Sequence, residues 1–252
     1  AAKSSGSKIL PVDSEHNAIF QSLPIGFEDG LASAGVSSII LTASGGPFRQ
    51  KTMDELRTVT AAQALHHPTW TMGAKITIDS ASLMNKGFEV IEAKWLFGLT
   101  PDQIEVVVHP QSIIHSIVQF RDSSMKAQMG LPDMKLPIQY ALTFPTRVQT
   151  DFKRLDLATF GSLTFEKPDL NRFRNLALAF DAMHRGGNMP CVLNAANEVV
   201  VAAFLKNQIG FLQMSDIIET VMQKTPFIKT PTYEDYVACD ADTRRLTQTM
   251  IQ

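Results

Sequence analysis

The sequence predicts an α+β protein: a domain with a small mixed sheet and flanking helices, followed by a C-terminal domain like a four-helix bundle. Short β-branched runs alternate with segments of helical spacing over the first part of the chain, which is typical of a mixed domain. Beyond residue 171 only helical patterns remain. Between these parts, prolines and short alternations indicate a connecting segment at 137–170.

The first predicted strand leads into a glycine turn. VSSIIL (36–41) is short and β-branched, and it is followed directly by TASGGPF (42–48). Apolar residues at helical spacing predict one helix over 52–65, with Thr52 as its N-cap. The next segment, HHPTWTMG (66–73), has the composition of a loop.

A strand and a longer helix are predicted next. KITIDS (75–80) alternates apolar and polar residues, as a strand does. SLMNKGFEVIEAKWLFG (82–98) has helical spacing, and Gly98 is a typical residue to end it. Three further strands are predicted, the last two as a hairpin: 105–110, 112–120 and 125–131.

The C-terminal part is predicted to be entirely helical. Pro190, Ser215 and Thr232 are suitable residues to begin helices, and glycines end the two predicted helices 172–187 and 190–210. The predicted helices are 172–187, 190–210, 215–225 and 232–251. Four helices of this length favour a compact bundle.

Composition excludes several classes of protein. The 252 residues are 44% hydrophobic and carry a net charge of −2, so neither a nucleic-acid groove nor an anionic membrane surface is indicated. No apolar run reaches the length of about 18 residues that a membrane span needs. The distant Cys191 and Cys239 predict buried reduced thiols. AAKSSGSK (1–8) predicts a flexible tail or a cloning remnant rather than a targeting segment.

Two acids stand close together in PVDSEH (11–16). If this segment is extended, Asp13 and Glu15 point to the same face, whereas His16 points to the other and is a poor further ligand. Two such carboxylates repel each other unless a cation or a shared proton intervenes, and their hard oxygens favour Mg²⁺ or Mn²⁺. A solvated acidic turn is the alternative interpretation.

A second polar cluster lies in DSASLMNKGFE (79–89). The free N–H groups at the start of a helix suit an anion such as phosphate, and Ser80, Asn85 and Lys86 add further donors. Glu89 follows Lys86 by three residues, on the same helical face. Gly87 weakens a helix and allows a close approach to its backbone. A capped helix with an ordinary surface Lys–Glu pair is the alternative.

Weaker signals surround these two clusters. Ser44 and two glycines follow the first strand, in a turn that can wrap a phosphate. Trp70 lies in a loop bounded by proline and glycine, where it either covers a ligand or packs into the core. His115, within an apolar strand, is read as an interior histidine. The fourteen glycines never form G-x-G, so this chain contains no Rossmann dinucleotide fingerprint.

Four long stretches resemble a known family. PVDSEHNAIFQ, LTASGGPFR, HPTWTMGAKITIDSASLMNKGFEVIEA and VVHPQSIIHSIVQFRDSS are similar to 1-deoxy-D-xylulose 5-phosphate reductoisomerases. The resemblance runs from about residue 9 to the end. It implies an NADPH- and divalent-metal-dependent enzyme that converts 1-deoxy-D-xylulose 5-phosphate to 2-C-methyl-D-erythritol 4-phosphate, for isoprenoid synthesis. In the family a retro-aldol cleavage and re-addition give an aldehyde, which NADPH reduces.

The resemblance also implies roles for individual residues. Asp13, Glu15 and Glu89 match the ligands of Mn²⁺ or Mg²⁺. The positions that match substrate binders are Ser14, Ser44, His67, Trp70, Ser80, Asn85, Lys86 and Met134. Met72 and Gly73 match the nicotinamide side of a lid formed by about residues 44–73. The implied catalytic set is Glu15, Glu89, His67, Trp70 and His115.

The implied organisation is a metal- and substrate-binding catalytic domain (9–136), a connecting segment (137–170) and a C-terminal helical domain (171–252). The family carries an N-terminal NADPH-binding domain, and this chain starts where that domain should finish, so we expect a truncated chain that is inactive alone. The alternative is a non-catalytic module that binds a divalent metal and a phosphosugar. We further expect a homodimer formed through the sheet, and a location in bacterial cytoplasm or plastid stroma.

Overall fold

The computed structural model describes residues 2–24, 26–27 and 30–251. The chain divides into two compact units, and each unit is made of two separate segments. The first unit comprises residues 1–44 and 92–168, and the second comprises residues 45–91 and 169–252. The predicted domains, in contrast, follow one another along the chain, and their boundaries stay a prediction.

The first unit contains a four-stranded mixed sheet, as predicted. Its strands are β1 (Val36–Ala43), β2 (Ile104–Val108), β3 (Ile114–Phe120) and β4 (Met125–Met129). The sheet order is β2-β1-β3-β4, with β1 parallel to β2 and the other neighbours antiparallel. In the centre, Ile39 of β1 pairs with Ile104 of β2 and Val118 of β3. The fold class is therefore α+β, as the sequence predicted.

One helix covers part of this sheet. The helices of the first unit are α1 (Ala2–Ser5), α2 (Ser14–Ser22), α7 (Lys135–Thr143) and α8 (Leu157–Phe160), with a 3₁₀ helix at Pro101–Gln103. Helix α2 packs on β3 and β4, and Ile19 of α2 is completely buried, as are Ile39 and Leu41 of β1. This packing fixes the start of α2 beside the hairpin β3–β4. The predicted tail also includes one helical turn, α1.

The second unit is helical. Its elements are α3 (Met53–Leu56), α4 (Ala61–Ala64), α5 (Ala74–Ala81), the first part of α6 (Met84–Phe97), α9 (Arg174–Arg185), α10 (Met189–Leu205), α11 (Phe211–Lys224) and α12 (Tyr233–Thr249). The four C-terminal helices are confirmed, and Thr232 is the N-cap of α12. Helix α11 begins at Phe211, however, four residues before the predicted Ser215. Helix α10 packs against α9, α11, α12 and α5, which makes it the centre of this unit.

Two predictions of secondary structure are wrong. The strand predicted at 75–80 is helix α5, in which three consecutive residues, 77–79, are buried and Lys75 pairs with Asp79 one turn away. The single helix predicted over 52–65 is two short helices, α3 and α4. The reason is that Thr60 and Gln63 form a second capping box inside the segment, after the one formed at Thr52.

Gly87 is explained by helix packing rather than by the approach of a ligand. A Cβ atom at Gly87 of α6 would lie 2.5 Å from the Cβ of Ala179 in α9 and 3.6 Å from the Sδ of Met84. Because helices can pack this closely only where no side chain intervenes, the glycine sets the spacing of α6 and α9.

We therefore expect Gly87→Ala to lower the free energy of unfolding by about 1–3 kcal/mol, since the added methyl group overpacks the contact with Ala179. Urea denaturation followed by circular dichroism measures this change. Gly73→Ala is the matched control, because a Cβ at Gly73 would meet no atom within 4 Å and its φ is −64°. Equal stability of the two variants would contradict this account of Gly87.

Both cysteines are free thiols. Cys239 is buried, as predicted, but Cys191 is only partly buried. Burial raises the pKa of the Cys191 thiol to about 11, with Cys239 and Asp240 adding to the shift. The thiol is therefore protonated and weakly nucleophilic near neutral pH.

None of the described helices combines the length and the apolar character that crossing a membrane requires.

Candidate functional site

The acids of PVDSEH lie at the start of a helix. Asp13 is the N-cap residue of α2, and Glu15 lies in its first turn, so the extended segment assumed from the sequence is wrong. The Ser14 hydroxyl donates a hydrogen bond to Oε2 of Glu15, which orients that carboxylate. Glu15 is partly buried and Asp13 is exposed. The helix start still brings both carboxylates to one end of α2, where the macrodipole favours negative charge.

His16 also faces this cluster, contrary to the prediction that it points away. Its Nδ1 lies 3.7 Å from Oδ2 of Asp13 and 3.8 Å from Oε2 of Glu92. The three side chains bring potential ligand atoms within 4.8 Å of one another. Helical rather than extended geometry explains the correction, because residues three apart share a helical face.

Ser14 and His115 line one small cavity in the first unit. His115 lies in β3 and is only 7% exposed, so it is an interior histidine as predicted. The cavity has a volume of about 10 Å³, and Asn17 and Asp133 also line it. Met134, the N-cap of α7, directly follows Asp133. The side-chain amide of Asn17 donates to the carbonyl of Pro11 at 2.9 Å and thereby fixes the loop that carries Asp13.

The second polar cluster lies in the second unit, where α5 ends and α6 begins. Leu83 separates the two helices with a φ of +59°, a left-handed conformation that is uncommon for leucine. Ser80 is partly buried in the last turn of α5, and Asn85 and Lys86 lie in the first turn of α6. The helix of 14 residues that follows directs its first N–H groups and its positive dipole end at this point.

Lys86 and Glu89 form a buried ion pair. Lys86 is 4% exposed and Glu89 is 2% exposed, and the Lys86 ammonium group hydrogen-bonds Oε2 of Glu89. The amide of Asn85 donates to Oε1 of Glu89 at 2.6 Å. The ordinary surface pair that the sequence left open is therefore wrong, because a solvated pair would not be buried. An ammonium group held in this way is a strong donor for an anion.

The glycine turn after β1 packs against Ser80. Gly46 has a φ of +68°, and a Cβ at this position would lie 2.7 Å from the carbonyl oxygen of Ser80. Only glycine allows this approach of two backbones. Ser44, two residues earlier, is partly buried and belongs to the first unit.

The histidine of the predicted lid has a defined tautomer. The backbone N–H groups of Thr69 and Trp70 donate to Nδ1 of His67 at 3.1 and 2.9 Å. Nδ1 is therefore an acceptor, and the proton of the neutral ring lies on Nε2. Burial lowers the pKa of His67, which favours that neutral form. Trp70 and Met72 are partly buried, and Gly73 caps α5.

Sequence reasoning missed Glu92 as well as His16. Glu92 follows Glu89 by three residues, a spacing that the predicted helix over 82–98 already contained. For His16 the available signal was Asp13 itself, since aspartate is a favoured N-cap residue and would have indicated a helix start.

Two family models match the chain. Residues 9–97 match the 1-deoxy-D-xylulose 5-phosphate reductoisomerase C-terminal domain, and residues 129–246 match the DXP reductoisomerase C-terminal domain. The chain is 64% identical over 243 residues to 1-deoxy-D-xylulose 5-phosphate reductoisomerase of Bacteroides fragilis, covering 96% of this chain and 61% of that protein. The enzyme of Phocaeicola vulgatus is 65% identical, with 96% and 62% covered.

Solved structures agree with these matches. The reductoisomerase of Zymomonas mobilis in complex with NADPH superposes with a TM-score of 0.90 at 45% identity, covering 100% of this chain and 64% of that one. A DOX-P reductoisomerase in complex with NADPH, fosmidomycin and magnesium gives 0.91 at 40% identity, covering 99% and 65%.

The fold and the matched models define a protein built from reductoisomerase C-terminal domains. The chain belongs to the 1-deoxy-D-xylulose 5-phosphate reductoisomerase family. It spans about three fifths of the length of the curated relatives that it matches, 61% in the case of the Bacteroides fragilis enzyme.

Proposed function

We propose that this chain is the catalytic and C-terminal part of an NADPH-dependent reductoisomerase that converts 1-deoxy-D-xylulose 5-phosphate to 2-C-methyl-D-erythritol 4-phosphate. The single observation that carries the proposal is the buried Lys86–Glu89 pair with Asn85, in the first turn of a helix of 14 residues. A buried charge pair is costly to build, and its position at a helix N-terminus suits a phosphorylated ligand.

The metal ligands in this proposal are Asp13, Glu15 and Glu89. Their donors are carboxylate oxygens, the ligand type that Mg²⁺ and Mn²⁺ prefer, so these residues fit the group. The solved DOX-P reductoisomerase in complex with NADPH, fosmidomycin and magnesium supports Mg²⁺, and Mn²⁺ is the chemically similar choice. When bound, the cation would supply Lewis-acid stabilisation of developing oxyanions.

The substrate is held at both ends by side chains of this chain. We propose that Ser44, Ser80, Asn85 and Lys86 bind its phosphate, which provides binding energy remote from the reacting carbons. Ser14, His115 and Met134 would surround the polar end, since Ser14 and His115 already line one cavity. His67 would donate from Nε2, the nitrogen that its backbone contacts leave protonated.

The lid and the cofactor side complete the site. Trp70 would cover the bound substrate and exclude water, and Met72 and Gly73 would face the nicotinamide. The solved relatives described with NADPH support this cofactor. The catalytic group in this proposal is Glu15, Glu89, His67, Trp70 and His115.

The assembly and the location are also proposals. Strand β4 lies at the edge of the sheet, and its Met125 and Met129 are 54% and 38% exposed, which supports a homodimer formed through this sheet. The bacterial sources of the relatives support the bacterial cytoplasm over the plastid stroma.

The experiment is an assay of NADPH oxidation with deoxyxylulose phosphate. We expect no turnover by the 252-residue chain, because it contains no dinucleotide fingerprint. We expect turnover once the chain is fused to the NADPH-binding domain of the Bacteroides fragilis relative. The matched control is the same fusion carrying Glu89→Gln, which should be inactive.

Two outcomes would contradict the proposal. Turnover by the mass-verified chain alone would overturn its predicted inactivity. A folded fusion that binds NADPH but never oxidises it would favour the alternative, a non-catalytic module for a divalent metal and a phosphosugar. The Lys86–Glu89 pair, with its buried charges, would serve either function.

A further inference from the structure

A buried carboxylate lies next to the proposed phosphate binder Ser80. Asp79, in the last turn of α5, is only 1% exposed. Asn197, from the middle of α10, is completely buried, and its Nδ2 donates to Oδ1 of Asp79 at 2.8 Å. The two residues are 118 positions apart in the sequence and lie in the same compact unit.

The second oxygen of Asp79 is held as well. Nζ of Lys75 lies 2.7 Å from Oδ2 of Asp79, and the same ammonium group lies 4.9 Å from the ring centroid of Phe88 in α6. Burial raises the pKa of Asp79, and the hydrogen bonds from Asn197 and Lys75 oppose that rise. Both carboxylate oxygens are thus fixed, one from α10 and one from within α5.

The orientation of Asn197 follows from this pairing. A carboxylate only accepts hydrogen bonds, so the amide must turn Nδ2 toward Asp79. Its Oδ1 is then buried without a hydrogen-bond partner among the described residues. An amide that leaves its own oxygen unsatisfied carries a cost, which its hydrogen bond to the Asp79 carboxylate helps to offset.

The backbone that Asp79 anchors is the one that presents Ser80. The carbonyl of Asp79 accepts a hydrogen bond from the Ser82 hydroxyl at 3.3 Å. Ser82 directly precedes Leu83, whose left-handed backbone conformation separates α5 from α6. On the other side, Gly46 packs directly against the carbonyl of Ser80. Asp79 is thus anchored directly beside Ser80, and its carbonyl is hydrogen-bonded to the segment that leads into α6.

We infer that Asp79 and Asn197 are positioning residues that fix Ser80 relative to Asn85 and Lys86 for recognition of a phosphate or phosphonate group. This inference rests on the proposed function. It gives α10, the central helix of the second unit, a role in ligand binding without direct contact to the ligand.

The test uses calorimetry on the 252-residue chain. One titration measures the binding of fosmidomycin in the presence of Mg²⁺, and a second measures the binding of Mg²⁺ alone. We expect Asn197→Ala and Asp79→Ala each to weaken fosmidomycin binding about tenfold or more, with Mg²⁺ affinity unchanged. The exchanged pair, Asp79→Asn with Asn197→Asp, restores an amide–carboxylate hydrogen bond and should recover most of the affinity. Asn171→Ala, at an exposed asparagine of the same unit, is the matched control.

Hydrogen exchange of residues 78–89 supplies a readout that does not need the ligand. We expect faster exchange there in Asn197→Ala and no change in α11. If the folded variants bind fosmidomycin as the wild type does, this inference is overturned and the proposed function is not affected. An equal loss of Mg²⁺ affinity would also overturn it, because the effect would then be general loosening. Absence of binding by the wild type would instead overturn the proposed function, and this inference with it.

Discussion

Lys86→Met is expected to lower the free energy of unfolding by about 3–5 kcal/mol, because it leaves the carboxylate of Glu89 buried without its cationic partner. The methionine fills a similar volume, so the lost charge rather than a cavity dominates the effect. Urea denaturation measures the change. The same variant should bind fosmidomycin far more weakly, since the ammonium donor of the proposed phosphate site is gone.

Two controls separate the buried pair from an ordinary ion pair. The double variant Lys86→Met with Glu89→Gln also removes the carboxylate charge that has lost its ammonium partner, and we expect it to be more stable than Lys86→Met alone. Arg57→Met removes the cation of an exposed pair with the same spacing, Asp54 and Arg57, and should cost less than about 1 kcal/mol. If Lys86→Met and Arg57→Met lowered the free energy of unfolding equally, the description of Lys86 and Glu89 as a buried pair would be wrong.

The second large effect is expected at the proposed metal ligands. The triple variant Asp13→Asn, Glu15→Gln and Glu89→Gln should lose measurable Mn²⁺ binding in calorimetry, because amide oxygens lack the negative charge that balances a divalent cation. Glu92→Gln is the informative comparison, since Glu92 lies beside Asp13 and His16 but is not among the proposed ligands.

Each outcome assigns the ligands. Binding lost in the triple variant and retained in Glu92→Gln supports the proposed set. Binding lost in Glu92→Gln would place the cation with His16 and Glu92 instead. Undiminished Mn²⁺ affinity in the triple variant would exclude all three carboxylates as essential ligands.

Much of the fold was predictable because local patterns determine it. Four strands and the four C-terminal helices follow from β-branched runs, helical periodicity and caps such as Thr232. The alternation of apolar and polar residues in KITIDS led to the wrong prediction. The same residues form a helix in which 77–79 are buried and Lys75 pairs with Asp79. Periodicity over six residues is too short to separate the two structures.

The sequence indicates candidate residues for the site but not their geometry. Ser80, Asn85, Lys86 and Glu89 are selected by a predicted helix start and by residue chemistry, and their roles stay a prediction. The burial of the Lys86–Glu89 pair was not, because burial depends on the helices packed around it. The hydrogen bond from Asn197 to Asp79 joins positions 118 residues apart, for which no local signal exists.

The compact units group segments that are far apart in the sequence. Residues 45–91 group with the C-terminal helices, although the sequence suggests continuous domains. Gly87 illustrates the cause, since its contact is Ala179 of α9, far away in the sequence. Such long-range packing decides which segments form one unit, and composition along the chain does not record it.

We propose that this chain holds a site for a divalent metal and a phosphorylated substrate. The most direct test is a calorimetric titration of fosmidomycin into the 252-residue chain with and without Mg²⁺. We expect saturable one-to-one binding that requires Mg²⁺ and is lost in Lys86→Met. Binding of equal strength without Mg²⁺, or no binding by the folded wild type, would contradict it.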